Sequence, residues 1–240
     1  MKCNICGGTR FIDQGSRQAV RCADCGSLER TRMLWLVLEQ MTAQGRISRG
    51  TRVLHIAPER GIYGKLCEIV SPETYDTADL FPELFTKFAP QTKRIDLCDL
   101  DAWPSEEYDL ILHSHVLEHI PCNLAYPVYH LHRMLKQGGR HLFIVPFFNG
   151  KSEECFQDIS DEERIRRLGQ ADHVRRFGKG DIERHLGAIL NMPSTLDAEA
   201  TYGKSALVAA NIPVRNWHGF TGASVIDLGR DDMKFLGPHS

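Results

Sequence analysis

The chain has 240 residues, of which 42% are hydrophobic and 25% charged, with a formal net charge of −2, an ordinary globular composition. This length allows one sizeable core with a small appendage. No apolar run reaches the roughly eighteen residues that a membrane span needs, and the first residues, MKCNICGG, lack the apolar core of a signal peptide. The sequence therefore predicts a cytoplasmic protein with no membrane partner.

Charge is unevenly distributed along the chain. Residues 1–52 carry nine Lys/Arg against four Asp/Glu, so the N-terminal end is basic and the remainder acidic. This region also contains four cysteines, described below. If they bind a zinc ion as thiolates, they would offset about two of those positive charges. The basic patch is therefore modest, and net charge alone predicts no general attraction to nucleic acid.

Four of the eight cysteines form two CxxC pairs within the first 25 residues. Each pair can make a tight turn that presents two thiolates, and the spacing predicts a zinc site formed by Cys3, Cys6, Cys22 and Cys25. Because protein fills all four positions, the zinc is expected to be structural. Two disulfides or a redox CxxC are the alternatives. Gly7 and Gly26 follow the pairs, where a positive φ would turn the backbone towards the sulfurs.

The predicted elements follow in chain order. A zinc ribbon over 1–26 precedes a connecting helix and linker over 27–50, and the main domain covers 51–230, with a tail at 231–240. Strands are predicted at 52–57, 74–79, 93–96, 108–114 and 140–147, with helices at about 61–70 and 124–136. The polar segment 159–187 is predicted to be helix-rich, and 202–214 and 223–229 are candidate late strands. Alternating strands and helices predict an α/β fold with a parallel sheet.

Five segments of the main domain form a recognisable pattern: VLHIAPERG (53–61), TYDTADL (74–80), IDLCDLDAWP (95–104), YDLILHSHVLEHIP (108–121) and LKQGG (135–139). Together they resemble class I S-adenosylmethionine-dependent methyltransferases of the small-molecule, type 11 kind. The resemblance covers roughly residues 52–147. It implies a Rossmann-like, doubly wound, mostly parallel sheet that binds S-adenosylmethionine beyond the carboxyl ends of its strands.

The resemblance also implies which residues bind the cofactor. The turn after the first strand departs from the family's glycine-rich pattern, because Ala57, Pro58 and Glu59 stand where glycines usually do and only Gly61 remains. Backbone at such a turn approaches the methionine part of the cofactor. The Glu59 carboxylate is a candidate partner for the cofactor's ammonium group, and a solvated loop acid is the alternative.

The ends of the later strands supply the remaining candidates. Asp79, followed by Leu80, closes the second strand and is expected to accept hydrogen bonds from both ribose hydroxyls. Asp96 is expected to accept from the adenine amine while the Leu97 amide donates to the ring. At the end of the fourth strand, the cofactor's amino acid and its methyl group are expected to be bordered by His113 and Ser114.

A polar segment, LGQADHVRRFG (168–178), resembles the GQxDHVRxYG stretch of ribbon-bearing bacterial methyltransferases, as does GSLER (26–30). Methyl transfer to oxygen or nitrogen usually needs a base for the acceptor's proton. His173 is the candidate base, oriented by Asp172, within an acceptor-side lid over 159–187. Arg175 or Arg176 would hold an anionic acceptor. A charged helix with salt bridges on a lid is the alternative.

The leading hypothesis is S-adenosylmethionine-dependent methyl transfer to an oxygen or nitrogen of a small-molecule or glycan-type acceptor. An RNA methyltransferase is a second hypothesis, because the basic ribbon could contact phosphates, although Phe11 is its only aromatic residue. A third is a non-catalytic binding module whose altered turn has lost cofactor affinity. HVLEH also spells the HxxEH of inverted zinc proteases, but here the first histidine ends a predicted strand.

Overall fold

The computed structural model describes residues 1–236, so residues 237–240 of the predicted tail lie outside the described part. The strands are β1 (Phe11–Gln14), β2 (Arg17–Cys22), β3 (Val53–Ile56), β4 (Tyr75–Asp79), β5 (Lys93–Arg94), β6 (Tyr108–Ser114), β7 (Leu135–Ile144), β8 (Phe147–Phe148), β9 (Glu153–Glu154), β10 (Arg175–Gly178) and β11 (Ile226–Gly229). The α-helices are α1 (Glu29–Ala43), α2 (Arg60–Cys67), α3 (Ala125–Met134), α4 (Asp161–Leu168), α5 (Leu186–Ile189), α6 (Ala198–Tyr202) and α7 (Lys204–Ala209). Within residues 1–236, no helix has the length and hydropathy needed to cross a bilayer.

The central sheet has six strands in the order β11-β7-β6-β3-β4-β5. All neighbours are parallel except β11, which runs antiparallel to β7. The mostly parallel α/β sheet predicted from the sequence is confirmed. From β3 the chain builds outward to β4 and β5 on one side and then to β6 and β7 on the other. Such a reversal creates a crevice at the carboxyl ends of β3 and β6, where α/β sheets bind ligands.

Both faces of this sheet are covered, as the unbroken apolar runs of its strands require. Successive side chains of β3 point to opposite faces because a strand has a period of two. Val53 belongs to the apolar cluster that contains Leu38 of α1 and Leu66 of α2. Leu54 packs in a different cluster, with Leu131 of α3. The arrangement is a doubly wound one.

The N-terminal ribbon, β1 and β2 with the four cysteines, packs against α1 and α2. Cys3, Ile5 and Cys22 belong to the same apolar cluster as the helix residues. A Cβ added to Gly61, near the start of α2, would lie 2.8 Å from Ile5 Cγ2. Gly61 therefore allows the ribbon to approach α2. Its position against the ribbon differs from the cofactor contact expected from the sequence.

One of the late segments differs from its prediction. Residues 202–214 were a candidate strand, but α6 and α7 occupy most of this region and meet at Gly203, whose φ is +79°. The run KSALVAA favours helix, and Leu207 alone in α7 is buried, which is the one-sided burial of a surface helix. Segment 159–187, predicted to be helix-rich, contains α4 and the start of α5, with β10 between them. The second late strand, 223–229, is confirmed as β11.

Candidate functional site

A cavity of about 550 Å³ opens at the carboxyl edge of the central sheet. Residues that follow four adjacent strands line it: Ala57 after β3, Leu80 after β4, Leu97 after β5 and His115 after β6. This volume is typical of a site for a small molecule or cofactor. The cavity therefore lies at the crevice that the strand order predicts.

Asp79 lines this cavity from the end of β4. Its Oδ1 accepts a hydrogen bond from the Phe81 amide at 2.8 Å, which fixes the carboxylate in the turn. Oδ2 has no hydrogen-bond partner among the described residues. Burial raises the pKa of Asp79. The side chain thus presents a fixed, half-buried acceptor to the cavity, as a diol-binding carboxylate must.

Asp96 and Leu97 line the same cavity after β5. Asp96 Oδ1 accepts from the Cys98 amide at 2.8 Å and thereby shapes a tight turn. The Leu97 amide donates to no described residue, while its side chain is 4% exposed and packs in the core. A free amide donor and a carboxylate acceptor next to each other can recognise the edge of a nucleobase.

Two residues at this edge adopt positive φ without being glycine. Ala57 follows β3 with φ +50°, and His115 follows β6 with φ +55°. Each costs roughly 1 kcal/mol or more relative to glycine in the same conformation. Ala57 therefore takes a backbone conformation that favours glycine, in the turn where the resemblance expects glycines. Such local strain concentrates at functional sites.

Some residues expected at the cofactor do not line the cavity. Glu59 turns towards α1, where its Oε1 accepts from Thr31 Oγ1 at 3.0 Å and lies 3.6 Å from Arg30 Nε. His113 is fully buried, and its Nε2 lies 3.0 Å from Nε2 of His141. Ser114 is 8% exposed. The alternation of β6 explains both: side chains inside a sheet point to its faces, whereas residues after the strand end reach the edge.

The expected Asp172–His173 pair is also arranged differently. His173 is fully buried, and its Nδ1 lies 3.0 Å from the Leu168 carbonyl oxygen. Asp172 is exposed, and its Oδ2 lies 3.5 Å from Nδ1 of His119. Successive residues in this turn point opposite ways, so Asp172 reaches the cavity and His173 does not. Burial lowers the pKa of His173.

His119, unlike His173, lines the 550 Å³ cavity together with Asp172. Its ring packs edge-on against that of His173, with centroids 4.9 Å apart. A side-chain ligand atom from each of Glu118, His119 and His173 lies within 4.8 Å of the other two, so these residues could hold a metal ion. The predicted catalytic segment thus meets the HVLEH segment beside the cavity.

A second cavity, of about 290 Å³, lies between the ribbon, α1 and the C-terminal region. Arg17 of β2, Arg30 of α1 and Arg215 line it. His115 lines both cavities. Gln170 also reaches it, so the 159–187 segment borders the first cavity through Asp172 and the second through Gln170.

The three guanidinium groups of the second cavity are only partly neutralised. Arg17 donates to the buried Glu29 at 2.6 Å, and Arg215 lies 3.7 Å from the same carboxylate. Neither Arg30 nor Arg215 donates a hydrogen bond to another residue within 1–236. Arg30 Nε is buried without a hydrogen-bond partner and lies at an ion-pair distance of 3.6 Å from Glu59 Oε1. The cavity therefore offers unused donors and positive charge to an anionic group.

Arg175 and Arg176, expected at an anionic acceptor, have other partners. Arg175 is 1% exposed and donates to the carbonyl oxygens of Leu117, Ile120 and Cys122, at 2.8 to 3.0 Å. Arg176 donates to the Asn149 carbonyl oxygen and packs over the Phe148 ring. A buried arginine that satisfies three carbonyls fixes the 117–122 loop at the cavity wall and is not free to bind ligand.

The four N-terminal cysteines converge, with all sulfurs within 4.8 Å of one another. The Cys3–Cys25 and Cys6–Cys22 sulfur pairs are each 3.6 Å apart. A tetrahedral zinc with bonds of about 2.3 Å would separate its sulfurs by about 3.8 Å. Gly7 and Gly26 have φ of +79° and +76° and donate to the carbonyls of Cys3 and Cys22, so the two turns are equivalent. The donor set and spacing fit zinc.

No family model and no curated protein matches this chain. The YcgJ protein of Bacillus subtilis is similar in structure, with 18% identity, a TM-score of 0.47, and coverage of 75% of this chain and 80% of that one. Burkholderia thailandensis 1,6-didemethyltoxoflavin-N1-methyltransferase, solved with S-adenosylhomocysteine, has 15% identity, a TM-score of 0.46, and coverage of 81% and 76%. Haemonchus contortus phosphoethanolamine N-methyltransferase 2, solved with S-adenosyl-L-methionine, has 15% identity and a TM-score of 0.44, covering 74% and 41%.

Sequence reasoning did not assign many of the residues that line these cavities, and His115, Arg17, Arg30 and Arg215 are among them. For His115 a signal exists, since it directly follows the predicted strand 108–114. Arg30 lies in the GSLER segment, which was noted only for its resemblance to ribbon-bearing bacterial methyltransferases. Arg17 and Arg215 are 198 positions apart in the sequence, so no local pattern could bring them together.

Proposed function

We propose that the chain is an S-adenosylmethionine-dependent methyltransferase whose acceptor is a small molecule with an anionic group. One observation carries the proposal: a cavity formed by four strand ends, with Asp79 at the end of β4, lies beside a cavity lined by three arginines, and His115 lines both. Group transfer requires the reacting atoms of two bound molecules to lie about 3–3.5 Å apart, and adjacent cavities can hold two molecules side by side.

The 550 Å³ cavity supports the cofactor half of this proposal. The carboxylate of Asp79 would accept from the ribose hydroxyls, and Asp96 with the Leu97 amide would bind the adenine edge. The sulfonium end would then lie towards Ala57 and His115, where the two positive-φ turns bring backbone close to the ligand. Glu59 is left out of this assignment because it faces Thr31 and Arg30.

The arginine-lined cavity supports the acceptor half. Arg17 and Arg215 flank Glu29, while Arg30 lies 3.6 Å from Glu59. A carboxylate or phosphate bound there would be held by charge-assisted hydrogen bonds, with the nucleophilic oxygen or nitrogen towards His115. A volume of about 290 Å³ suits a small molecule. Since the acceptor's fit is set by Arg17 of the ribbon as well as by the main domain, the ribbon would take part in substrate binding.

The ribbon would be held by structural zinc on Cys3, Cys6, Cys22 and Cys25. Protein sulfurs would fill the tetrahedron and leave no position for a substrate. The role of the metal would be to fix the turns that carry β2, and through β2 the position of Arg17.

Calorimetry with S-adenosylhomocysteine tests the cofactor half: one molecule is expected to bind per chain. Absence of binding to the zinc-loaded protein would contradict the proposal and favour a non-catalytic module. Transfer of label from methyl-labelled cofactor into a metabolite extract tests the acceptor half. The labelled product is expected to be retained on an anion-exchange column. Label in neutral glycans or in RNA would contradict an anionic small-molecule acceptor.

A matched pair of variants separates the two halves. Arg30→Gln removes one of the three guanidinium groups of the acceptor cavity and is expected to lower label transfer at least tenfold, while binding of S-adenosylhomocysteine is unchanged, because charge-assisted hydrogen bonds contribute roughly 1.5–3 kcal/mol. Arg10→Gln, at an exposed ribbon position outside both cavities, is expected to change neither. Equal label transfer by the two variants would show that Arg30 does not bind the acceptor.

A further inference from the structure

Glu118, His119 and His173 form a compact group beside the larger cavity, with one ligand atom of each within 4.8 Å of the others. Glu118 and His119 lie in the single helical turn after β6, and His173 precedes β10. Glu118 and His173 are fully buried, while the side chain of His119 is 34% exposed and lines the cavity. The group therefore has a buried inner side and one side open to the cavity.

Backbone carbonyls fix the tautomers of the two imidazoles. Nδ1 of His173 lies 3.0 Å from the Leu168 oxygen, and Nδ1 of His119 lies 3.1 Å from the Asp172 oxygen. A carbonyl oxygen can only accept, so Nδ1 carries the hydrogen in both rings. In a neutral ring with this tautomer, Nε2 carries no hydrogen and has a lone pair that can accept a hydrogen bond or bind a metal. Nε2 of His173 is buried and has no hydrogen-bond partner among residues 1–236.

Glu118 adds further acceptors to the group. Both of its carboxylate oxygens are buried without a hydrogen-bond partner in the described chain. Nδ1 of His115 lies 3.2 Å from Oε1, an ion-pair distance that does not meet hydrogen-bond geometry. Carboxylate oxygens and imidazole lone pairs thus gather with too few donors between them. Buried acceptors in this state cost roughly 1–3 kcal/mol each unless a donor or a cation satisfies them.

We propose that Glu118, His119 and His173 bind one divalent transition-metal ion at the wall of the larger cavity. Two imidazoles and one carboxylate are a donor set that suits Zn²⁺ or Fe²⁺. Histidines that bind metal almost always donate their other ring hydrogen to a carbonyl or carboxylate, which is the arrangement that Leu168 and Asp172 provide. His115 does not belong to the group, so this is not the HxxEH arrangement of inverted zinc proteases, in which both histidines are ligands.

Three protein ligands leave a coordination position for another oxygen. The side chain of His119 reaches the cavity, so that position can open towards the bound molecules. On the proposed function, this cavity holds the cofactor, so a metal bound there would lie at the wall of the cofactor site. Metal binding itself does not depend on that function.

Metal content per chain tests the proposal. Purified protein is incubated with excess Zn²⁺, freed of unbound metal, and measured by inductively coupled plasma mass spectrometry. The wild type is expected to hold one equivalent more than His119→Ala. His218→Ala, at another exposed histidine, is expected to match the wild type. Equal zinc content in wild type and His119→Ala would overturn the proposal, whatever the ribbon binds.

Cobalt gives a second readout that identifies the ligands. Co²⁺ in the ribbon would show thiolate charge-transfer bands, which are expected in the wild type and in His119→Ala alike. Ligand-field bands of a nitrogen and oxygen site are expected in the wild type only. Circular dichroism verifies that the variant is folded, and calorimetry with S-adenosylhomocysteine reports separately on the proposed function. Identical cobalt spectra for the two proteins would also overturn the metal site.

Discussion

Nε2 of His141 lies 3.0 Å from Nε2 of His113, at the centre of a buried chain of three imidazoles. Nδ1 of His141 lies 3.2 Å from Nε2 of His132, and Nδ1 of His132 lies 3.3 Å from the Arg230 carbonyl oxygen. Because that oxygen only accepts, His132 donates to it, His141 donates to His132, and His113 donates to His141. Nδ1 of His113 is then left without a hydrogen. The chain thus links β6, β7 and α3 through neutral histidines with one direction of donation.

These three buried histidines predict that the protein loses stability in mild acid. Burial lowers the pKa of His113 and of His132 to about 4, and that of His141 well below its usual value, while unfolded histidine titrates near 6.5. Between pH 6.5 and 4 the unfolded state therefore binds more protons than the folded one. Each histidine is expected to lower the free energy of unfolding by about 1.4 kcal/mol per pH unit in that window.

Urea unfolding between pH 7 and 4.5 measures the total slope, and NMR of the imidazole protons locates its source. Resonances of His113 and His132 are expected to stay at their neutral positions down to about pH 5. His185 is a partly exposed histidine that does not belong to the three buried ones, so His185→Gln should leave the pH dependence of the unfolding free energy unchanged. Titration of His113 or His132 near pH 6.5 in the folded protein would refute this prediction.

Asp79→Asn is expected to weaken S-adenosylhomocysteine binding about tenfold or more. The substitution keeps the shape of the side chain but removes a charged acceptor, and hydrogen bonds to charged groups contribute roughly 1.5–3 kcal/mol. Asp99→Asn is the control, because Asp99 is exposed and does not line the cavity. Calorimetry at a fixed pH measures both. Equal affinity of the two variants would exclude Asp79 from the cofactor site.

Ala57→Gly is expected to stabilise the fold slightly, by up to about 1 kcal/mol. Glycine relieves the positive φ of +50° at this turn, and the relief outweighs the added entropy of the unfolded chain. Ala78→Gly, in the neighbouring strand β4, has no such relief and is expected to be destabilising by about 1 kcal/mol. Urea midpoints compare the two. Destabilisation of the same size in both variants would mean that Ala57 is unstrained.

Gly61→Ala tests the contact between the ribbon and α2. Alanine favours helix by about 1 kcal/mol over glycine, but its Cβ would lie 2.8 Å from Ile5 Cγ2. The substitution is therefore expected to be neutral or destabilising in the wild type and stabilising in an Ile5→Ala background. A double-mutant cycle of unfolding free energies gives the coupling. Additive effects would mean that the ribbon does not press on Gly61.

The sheet could be predicted from sequence because its strands carry local signals. β6 was predicted over the residues that form it, and β3, β4 and β11 lie within their predicted ranges, since buried strands bounded by polar turns are visible without tertiary information. The cofactor roles of Asp79 and Leu97 are implied by the resemblance, and both residues line the cavity because they lie at or after a strand end.

The side-chain partners could not be predicted because packing between distant segments decides them. Glu59 was expected at the cofactor, but Thr31 of α1 supplies a nearer donor. Asp172 and His173 were expected as a pair, but the turn sends them to opposite sides. Whether Gly61 faces a ligand or another part of the chain depends on where Ile5 lies, and nothing near Gly61 in sequence carries that information.

The placement of Arg17 has a consequence for how such a protein could change. One wall of the arginine-lined cavity comes from β2, whereas the strand ends around Asp79 belong wholly to the main sheet. On the proposed function, substitutions in the hairpin would alter which acceptor is recognised without changing the cofactor site. Selectivity for the acceptor could then change in evolution through the β1–β2 hairpin, while the methyl-transfer site at the strand ends stays the same.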